Sequence, residues 1–273
     1  MIPFPFEYIE PDTLEEAASV YAGLSQKGLR PLYYAGGTEI ITMARVNSLA
    51  FDALIDIKHI PQCRGYGYSG EKIVFGAAAT LNDVALSGLF PLLEKACARV
   101  ADHTAQCKIT LGGNVAGTIF YHEAALPLLL ADATVLLASP AGTREAPLRS
   151  LYHQKLILQP GEIIVCFSMD PAVASLPYVH AKHTQGEKIG YPLFTLAALR
   201  TPGIVRAAIA GYYPFPVMVT LPLAHLPIEP AAAASLLMGQ MAGEPISDTL
   251  GSGQYRRQML EKALQAMLEV LGG

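Results

Sequence analysis

Twice in its first 120 residues the chain stops an apolar run with two glycines and turns apolar again after one small polar residue: YYAGGTEI at 33–40 and TLGGNVAG at 110–117. The first approach reads as a strand, and the second is likewise apolar. A glycine pair removes the Cβ atoms that would keep other backbone, or a ligand, at a distance. Where such a turn enters a helix, its exposed N–H groups and the helix dipole form an anion cradle. In the first stretch Gly36 and Gly37 make the turn and Thr38 is the candidate N-cap. In the second, Gly112 and Gly113 allow close backbone approach, Asn114 offers a versatile side chain, and Ala116 and Gly117 keep the exit small. Alone, each pair is more often a plain turn than a ligand site. Together they suit two cradles holding a diphosphate across a cleft. Neither is GxGxxG or GxxxxGK(S/T), so the Rossmann and P-loop fingerprints are absent.

The segments around them alternate strand and helix. DTLEEAASVYAGLSQKG carries capping-box spacing from Thr13 to Glu16 and apolar residues at Leu14, Ala17, Ala18, Tyr21 and Leu24, with Gly28 placed to close the helix. RPLYYAGG and FDALIDI read as strands on either side of a short helix, TEIITMAR. EKIVFGAAA is a further strand, TLNDVALSG opens with a second capping signal (Thr80 to Asp83), and FPLLEKACARVAD has helical spacing. EAALPLLLA reads as a buried helix, DATVLLASP and GEIIVCFSM as strands, and AGTRE as a turn. After a Pro- and Ala-rich connector, DPAVASLP, come three strand-like runs, Pro-punctuated loops and two helices. The last helix, from about Ser252, aligns Met259, Leu260, Ala263, Leu264, Met267, Leu268 and Leu271.

Composition narrows the partners. At 273 residues, 52% hydrophobic and 15% charged, the chain can bury roughly three quarters of its unfolded surface and is expected to form about two domains. A net charge of −4 without Lys/Arg runs argues against nucleic acid. MIPFPFEYIEP lacks a basic segment and an apolar core, so no secretory signal is expected. The most apolar run ends at Asp132, short of a bilayer span. A soluble, cytoplasmic chain is the expectation. Cys63, Cys97, Cys107 and Cys166 form no CxxC pattern and read as buried free thiols, and His180 and His183 fall on opposite faces of a strand, so no metal site is expected.

YYAGGTEI and ITLGGNVAG resemble the two FAD-binding signatures of molybdenum hydroxylase flavoprotein subunits, the group that includes the carbon monoxide dehydrogenase medium subunit and the FAD subunit or domain of xanthine dehydrogenase. KIVFGAAATLNDV, GEIIVCFSM, RAAIAGYYPFPV and GSGQYRRQML are similar to further segments of that family, so the likeness covers nearly the whole chain. It implies an α+β fold: a PCMH-type (vanillyl-alcohol oxidase/MurB-like) FAD-binding domain over residues 1–170, in two α/β subdomains of about 1–58 and 59–170. A small α+β C-terminal domain over 171–273 would follow. The cofactor implied is non-covalent FAD, since Thr38 and Glu39 stand where covalent relatives of the wider fold carry His.

Carried over by position, Tyr33, Tyr34, Ala35, Gly36, Gly37, Thr38, Glu39 and Ile40 would line the pyrophosphate and flavin edge. Thr110, Gly112, Gly113, Asn114 and Gly117 would supply the second signature, and Val100 and Ala101 a wall near the adenine. Glu123 stands at the family's usual Asp, facing ribityl or ribose hydroxyls. Ile163 and Ile164 would pack on the cofactor, and Lys182 would stand near the flavin ring. Two segments depart from the family: IFYHE at 119–123, with Phe120 and Tyr121 where small residues are usual, and TQGEKIG at 184–190, which lacks paired Arg and Asp. The resemblance implies an electron-transfer subunit of a xanthine dehydrogenase-like complex. It would take electrons from a small [2Fe–2S] subunit served by a large molybdenum-cofactor subunit, and pass them to NAD or another acceptor. A stand-alone flavin oxidoreductase and a scaffold without FAD are the alternatives.

Overall fold

The computed structural model describes residues 1–186, 190–225 and 229–272. The first lobe runs β1 (Glu7–Ile9), α1 (Leu14–Gln26), β2 (Pro31–Tyr34), α2 (Thr38–Arg45) and β3 (Ala53–Asp56). Thr13 caps α1 as its spacing predicts: its Oγ1 accepts from the Glu16 N–H at 3.1 Å, satisfying a donor the helix cannot. The three strands lie in the order β1-β3-β2, all parallel. Parallel neighbours need crossover connections, and the helices supply them.

The second lobe continues with α3 (Pro61–Arg64), β4 (Tyr66–Ser69), β5 (Lys72–Gly76), α4 (Leu81–Ala85), α5 (Pro91–Cys97), α6 (His103–Gln106), α7 (Leu111–Ala116) and α8 (Ala125–Leu130). It is completed by β6 (Thr134–Ser139), β7 (Gly142–Pro147), α9 (Leu148–Leu151), the short pair β8 (Tyr152–His153) and β9 (Lys155–Leu156), and β10 (Ile163–Met169). Its sheet is antiparallel in the order β4-β5-β10-β6-β7. Two expectations are corrected. The helix expected to run through Val100 stops at Cys97, and Ala101, at φ +51°, turns the chain. AGTRE is the tip and first half of a two-residue hairpin: Ser139 pairs with Gly142, and Thr143 to Glu145 lie in β7. All six residues of α8 are buried. A helix without a polar face must be covered on every side.

The cover is the third sheet, an antiparallel meander of β11 (Tyr178–Thr184), β12 (Pro192–Thr201), β13 (Ile204–Ala210) and β14 (Val217–Pro222), followed by α10 (Pro230–Gly239) and α11 (Gly253–Leu271). One face packs Leu196, Ala198, Val205 and Ile209 on Leu260, Leu264 and Leu268 of α11. The other offers Ala197, Leu199, Ala208 and Ala210 to Leu126, Leu128 and Leu129, in one core with the second lobe. Each leucine so buried contributes about 2 kcal/mol. Met259, aligned with this stripe in the sequence, is only partly covered.

On the α8-facing side, His180 pairs with Ala197 and Lys182 with Thr195. Neither ring nitrogen of buried His180 has a partner among the described residues. Burial, reinforced by Arg99, Lys95 and Lys182, pushes its pKa down to about 4. The unfolded chain takes up this proton near pH 6.5 and the fold does not. Stability contributed by neutral His180 is therefore complete above about pH 6.5 and declines as pH falls toward 4, by about 3 kcal/mol in full. Glu123, whose carboxyl burial pushes up, acts in the opposite sense as pH rises. The readout is thus the difference between wild type and His180→Leu in urea unfolding across pH 4–8. The gap in favour of the variant is expected to widen below pH 6.5. A difference that stays flat would contradict the burial argument.

Candidate cofactor site

A cavity of about 720 Å³ lies where β2, α2, α7, β10 and β11 converge, within the size range of small-molecule clefts. The structure brings all the predicted positions to its wall: Tyr33 to Ile40, Val100, Ala101, Thr110, Gly112, Gly113, Asn114, Gly117, Glu123, Ile163, Ile164 and Lys182. Residues 187–189 of the second departing segment lie outside the described residues.

The two glycine stretches do different work. In the first, Gly36 lies against the chain before α7: a Cβ on it would stand 2.1 Å from the Lys108 carbonyl oxygen. Gly37, at φ +67°, is the N-cap of α2, a conformation open to glycine and strained for other residues. Thr38 is thus the first helical residue rather than the cap, and its carbonyl accepts from Thr42 Oγ1 at 2.7 Å. No side chain caps α2, so its first-turn N–H groups and the positive end of its dipole stand at the cavity wall. This is a cradle.

The second stretch is a wall. The Leu111 N–H donates to the Ala79 carbonyl at 2.9 Å, Gly112 to Ala77 at 2.8 Å and Asn114 to Thr110 at 2.9 Å. Gly113 donates to the Thr110 hydroxyl at 3.3 Å. The expectation of two cradles is corrected on this ground: the donors of α7 already have partners. Gly112 instead permits contact with β5's exit, where a Cβ would come 2.7 Å from that of Ala77. Glu39 ties the two stretches together, its Oε1 accepting from the Thr118 N–H at 2.8 Å and hydroxyl at 2.6 Å. Asn114 braces the next loop through its side-chain oxygen, which accepts from the Ala124 N–H at 3.0 Å.

That loop carries Glu123, 4% exposed, with Lys182 Nζ 2.9 Å from its Oε1. Lys182 Nζ also donates to the Arg99 carbonyl at 2.7 Å, which holds the wall beside Val100 and Ala101. Burial raises the Glu123 carboxyl above its ordinary range, with Lys182 and Arg99 opposing. Its second oxygen, Oε2, is buried with no partner among the described residues. A buried carboxylate oxygen without a donor is costly. His122 holds φ +34° and sits 3.1 Å through Nδ1 from the Asn114 carbonyl, and burial pushes its pKa down. In the departing segment, Phe120 and Tyr121 have ring centroids 4.4 Å apart, and Tyr121 stacks on Tyr191 at 4.8 Å.

Tyr191, Ile57, Ala77 and Glu162 also line the cavity without having been singled out from sequence. Each comes from a strand end or an adjoining residue, where no motif marks it. Tyr33 joins the lobes, its hydroxyl donating to the Gly161 carbonyl at 3.1 Å.

The uncapped start of α2 and the buried Glu123 carboxyl line one cavity between two α/β lobes, an arrangement that suits a PCMH-type FAD-binding fold. Residues 4–169 match the family described as the FAD binding domain in molybdopterin dehydrogenase, and the chain belongs to that family, whose cofactor is FAD. The carbon monoxide dehydrogenase medium chain of Hydrogenophaga pseudoflava is 29% identical over 171 residues, 60% of this chain and 58% of that relative. The xanthine dehydrogenase FAD-binding subunit of Escherichia coli O157:H7 is 25% identical over 166 residues, 58% of this chain and 56% of that relative. These alignments thus span little more than half of each relative. In fold, the chain is similar to carbon monoxide dehydrogenase from Hydrogenophaga pseudoflava, at TM-score 0.86 and 22% identity, covering 99% of this chain and 98% of that one. Among the described residues no helix is long and apolar enough to cross a membrane.

Proposed function

We propose that this chain is the FAD-carrying electron-transfer subunit of a xanthine dehydrogenase-like molybdenum hydroxylase, with residues 1–170 holding the cofactor and 171–273 closing its site. The observation that carries this is the uncapped start of α2 on the wall of the same cavity as the buried Glu123–Lys182 pair. The residues present fit the cofactor. The first-turn N–H groups of α2 would donate to its pyrophosphate, at the turn that Gly36 and Gly37 make. Glu123 would face the ribityl or ribose hydroxyls. The end of β10 at Ile163 and Ile164, whose side chains alternate across the strand, would pack on the cofactor. Lys182, anchored by Glu123 and the Arg99 carbonyl, would present a fixed positive charge beside it. The bound flavin supplies electron acceptance and release between [2Fe–2S] clusters of a partner subunit and NAD or another acceptor. No side chain of this chain need act as nucleophile. A stand-alone flavin oxidoreductase would need an acid or base at the ring, and Tyr121 and His122 on the cavity wall are the candidates for it.

The test is the visible spectrum of the purified full chain, with identification of whatever denaturation releases. The expected result is a flavin spectrum, FAD recovered in solution, and none left on the polypeptide. Co-purified partners should carry molybdenum and iron. A folded, colourless chain that takes up no added FAD would leave a scaffold in place of a redox subunit.

A further inference from the structure

Behind the first glycine stretch lies a charge network that no motif marks. The Asp56 side chain, at the end of β3, is 1% exposed, and a buried carboxylate needs partners. It has three: the Tyr8 hydroxyl, the Lys58 N–H at 2.9 Å and Lys58 Nζ at 2.5 Å. Lys58 Nζ donates as well to the Ala35 carbonyl at 3.2 Å and lies 4.6 Å from the Tyr34 ring centre. That ring fills the space beside Gly37, where a Cβ would come 2.4 Å from the Tyr34 hydroxyl. Tyr8 meets the same ring edge-on at 5.9 Å, and the Ile57 N–H holds the Tyr34 carbonyl at 2.9 Å.

The peptide joining Ala35 to Gly36 is planar and trans, so its C=O and N–H point in opposite directions. A cation fixed on the carbonyl therefore fixes where the Gly36 donor points, and keeps the carbonyl dipole from turning toward an anion. We propose that Lys58, clamped by buried Asp56, is a positioning residue that sets the Tyr34–Gly37 turn so that the start of α2 stays open to the cofactor's pyrophosphate. This rests on the FAD reading above.

The experiment uses the full chain freed of flavin and titrated with FAD, with ³¹P NMR of the bound pyrophosphate and thermal unfolding of the apoprotein. Lys58→Met is expected to raise the FAD Kd about tenfold, the scale of one hydrogen bond to a charged group, and to shift the ³¹P resonances. Lys58→Arg, which keeps the cation, should recover affinity to within about threefold of wild type. Tyr8→Phe removes a partner from Asp56 but leaves Lys58 on Ala35. It should lower apoprotein stability as Lys58→Met does, with FAD affinity and ³¹P shifts unchanged. The proposal is overturned if Lys58→Met binds FAD within twofold of wild type, if Tyr8→Phe weakens FAD equally, or if Arg fails to restore it. A wild-type chain that binds no FAD overturns the proposed function itself, and this role with it.

Discussion

Gly36→Ala is expected to leave the chain without FAD and to destabilise it by about 3 kcal/mol, the upper range for forcing an extra group into a packed site. The new methyl would stand 2.1 Å from the Lys108 carbonyl oxygen and 3.2 Å from the Thr110 nitrogen. Both are backbone, so neither can rotate away. Relief requires the first glycine stretch to draw back from the second, which opens the cavity wall between them. Gly113→Ala is the matched control. Its Cβ would meet only the Thr110 hydroxyl, at 2.9 Å, and alanine favours the helix it joins. Its stability should stay within about 1 kcal/mol of wild type. Urea unfolding and bound-flavin absorbance read both variants. Flavin retained at full occupancy by Gly36→Ala, with a wild-type midpoint, would refute the close-approach argument.

Arg256→Met is expected to cost about 4 kcal/mol, as breaking a buried ionic network does. Arg256 is 0% exposed. Its guanidinium donates to the carbonyls of Ile246 at 3.0 Å, Gly211 at 2.8 Å and Leu193, and to the Asp248 carboxylate at 2.5 Å. These acceptors come from the start of β12, the end of β13 and the loop before α11, so one side chain ties together three segments that hydrophobic contact alone leaves unregistered. Methionine fills the volume and leaves the acceptors without donors. Lysine brings back one point charge but not the planar fork, so Arg256→Lys should recover only part of the loss. Unfolding of Arg256→Met at the wild-type urea midpoint would show that water or other donors replace the guanidinium without penalty.

These cases also show what the sequence exposes. α1 and α4 were legible because each carries its own start signal, at Thr13 and Thr80, beside an apolar stripe. β1, β4 and β7 were not. Their exposed residues, such as Tyr68 and Glu145, have no buried alternation, and they become strands only because β3, β5 and β6 present open edges. At the site, the glycine pairs and the positions around them were readable, since backbone approach leaves a mark in composition. The different duties of the two pairs were not. Whether α7's N–H groups are free depends on the Ala77 and Ala79 carbonyls, more than thirty residues upstream. Lys182 looks like any surface lysine until the register of β11 with β12 turns it toward Glu123. Lys58 and Arg256 were not singled out because several of their partners are backbone carbonyls, which any sequence provides.

The face that β12 and β13 lend to α8 has a consequence for how this chain can be cut and recombined. A fragment ending near residue 169, where the family match stops, would expose the leucines of α8 to water and leave Glu123 without Lys182. It would retain both glycine stretches and still be expected to aggregate. Exchanging C-terminal portions with a relative would meet the same obstacle unless α8 travelled with the sheet that covers it. The unit of inheritance here is therefore larger than the unit of cofactor recognition.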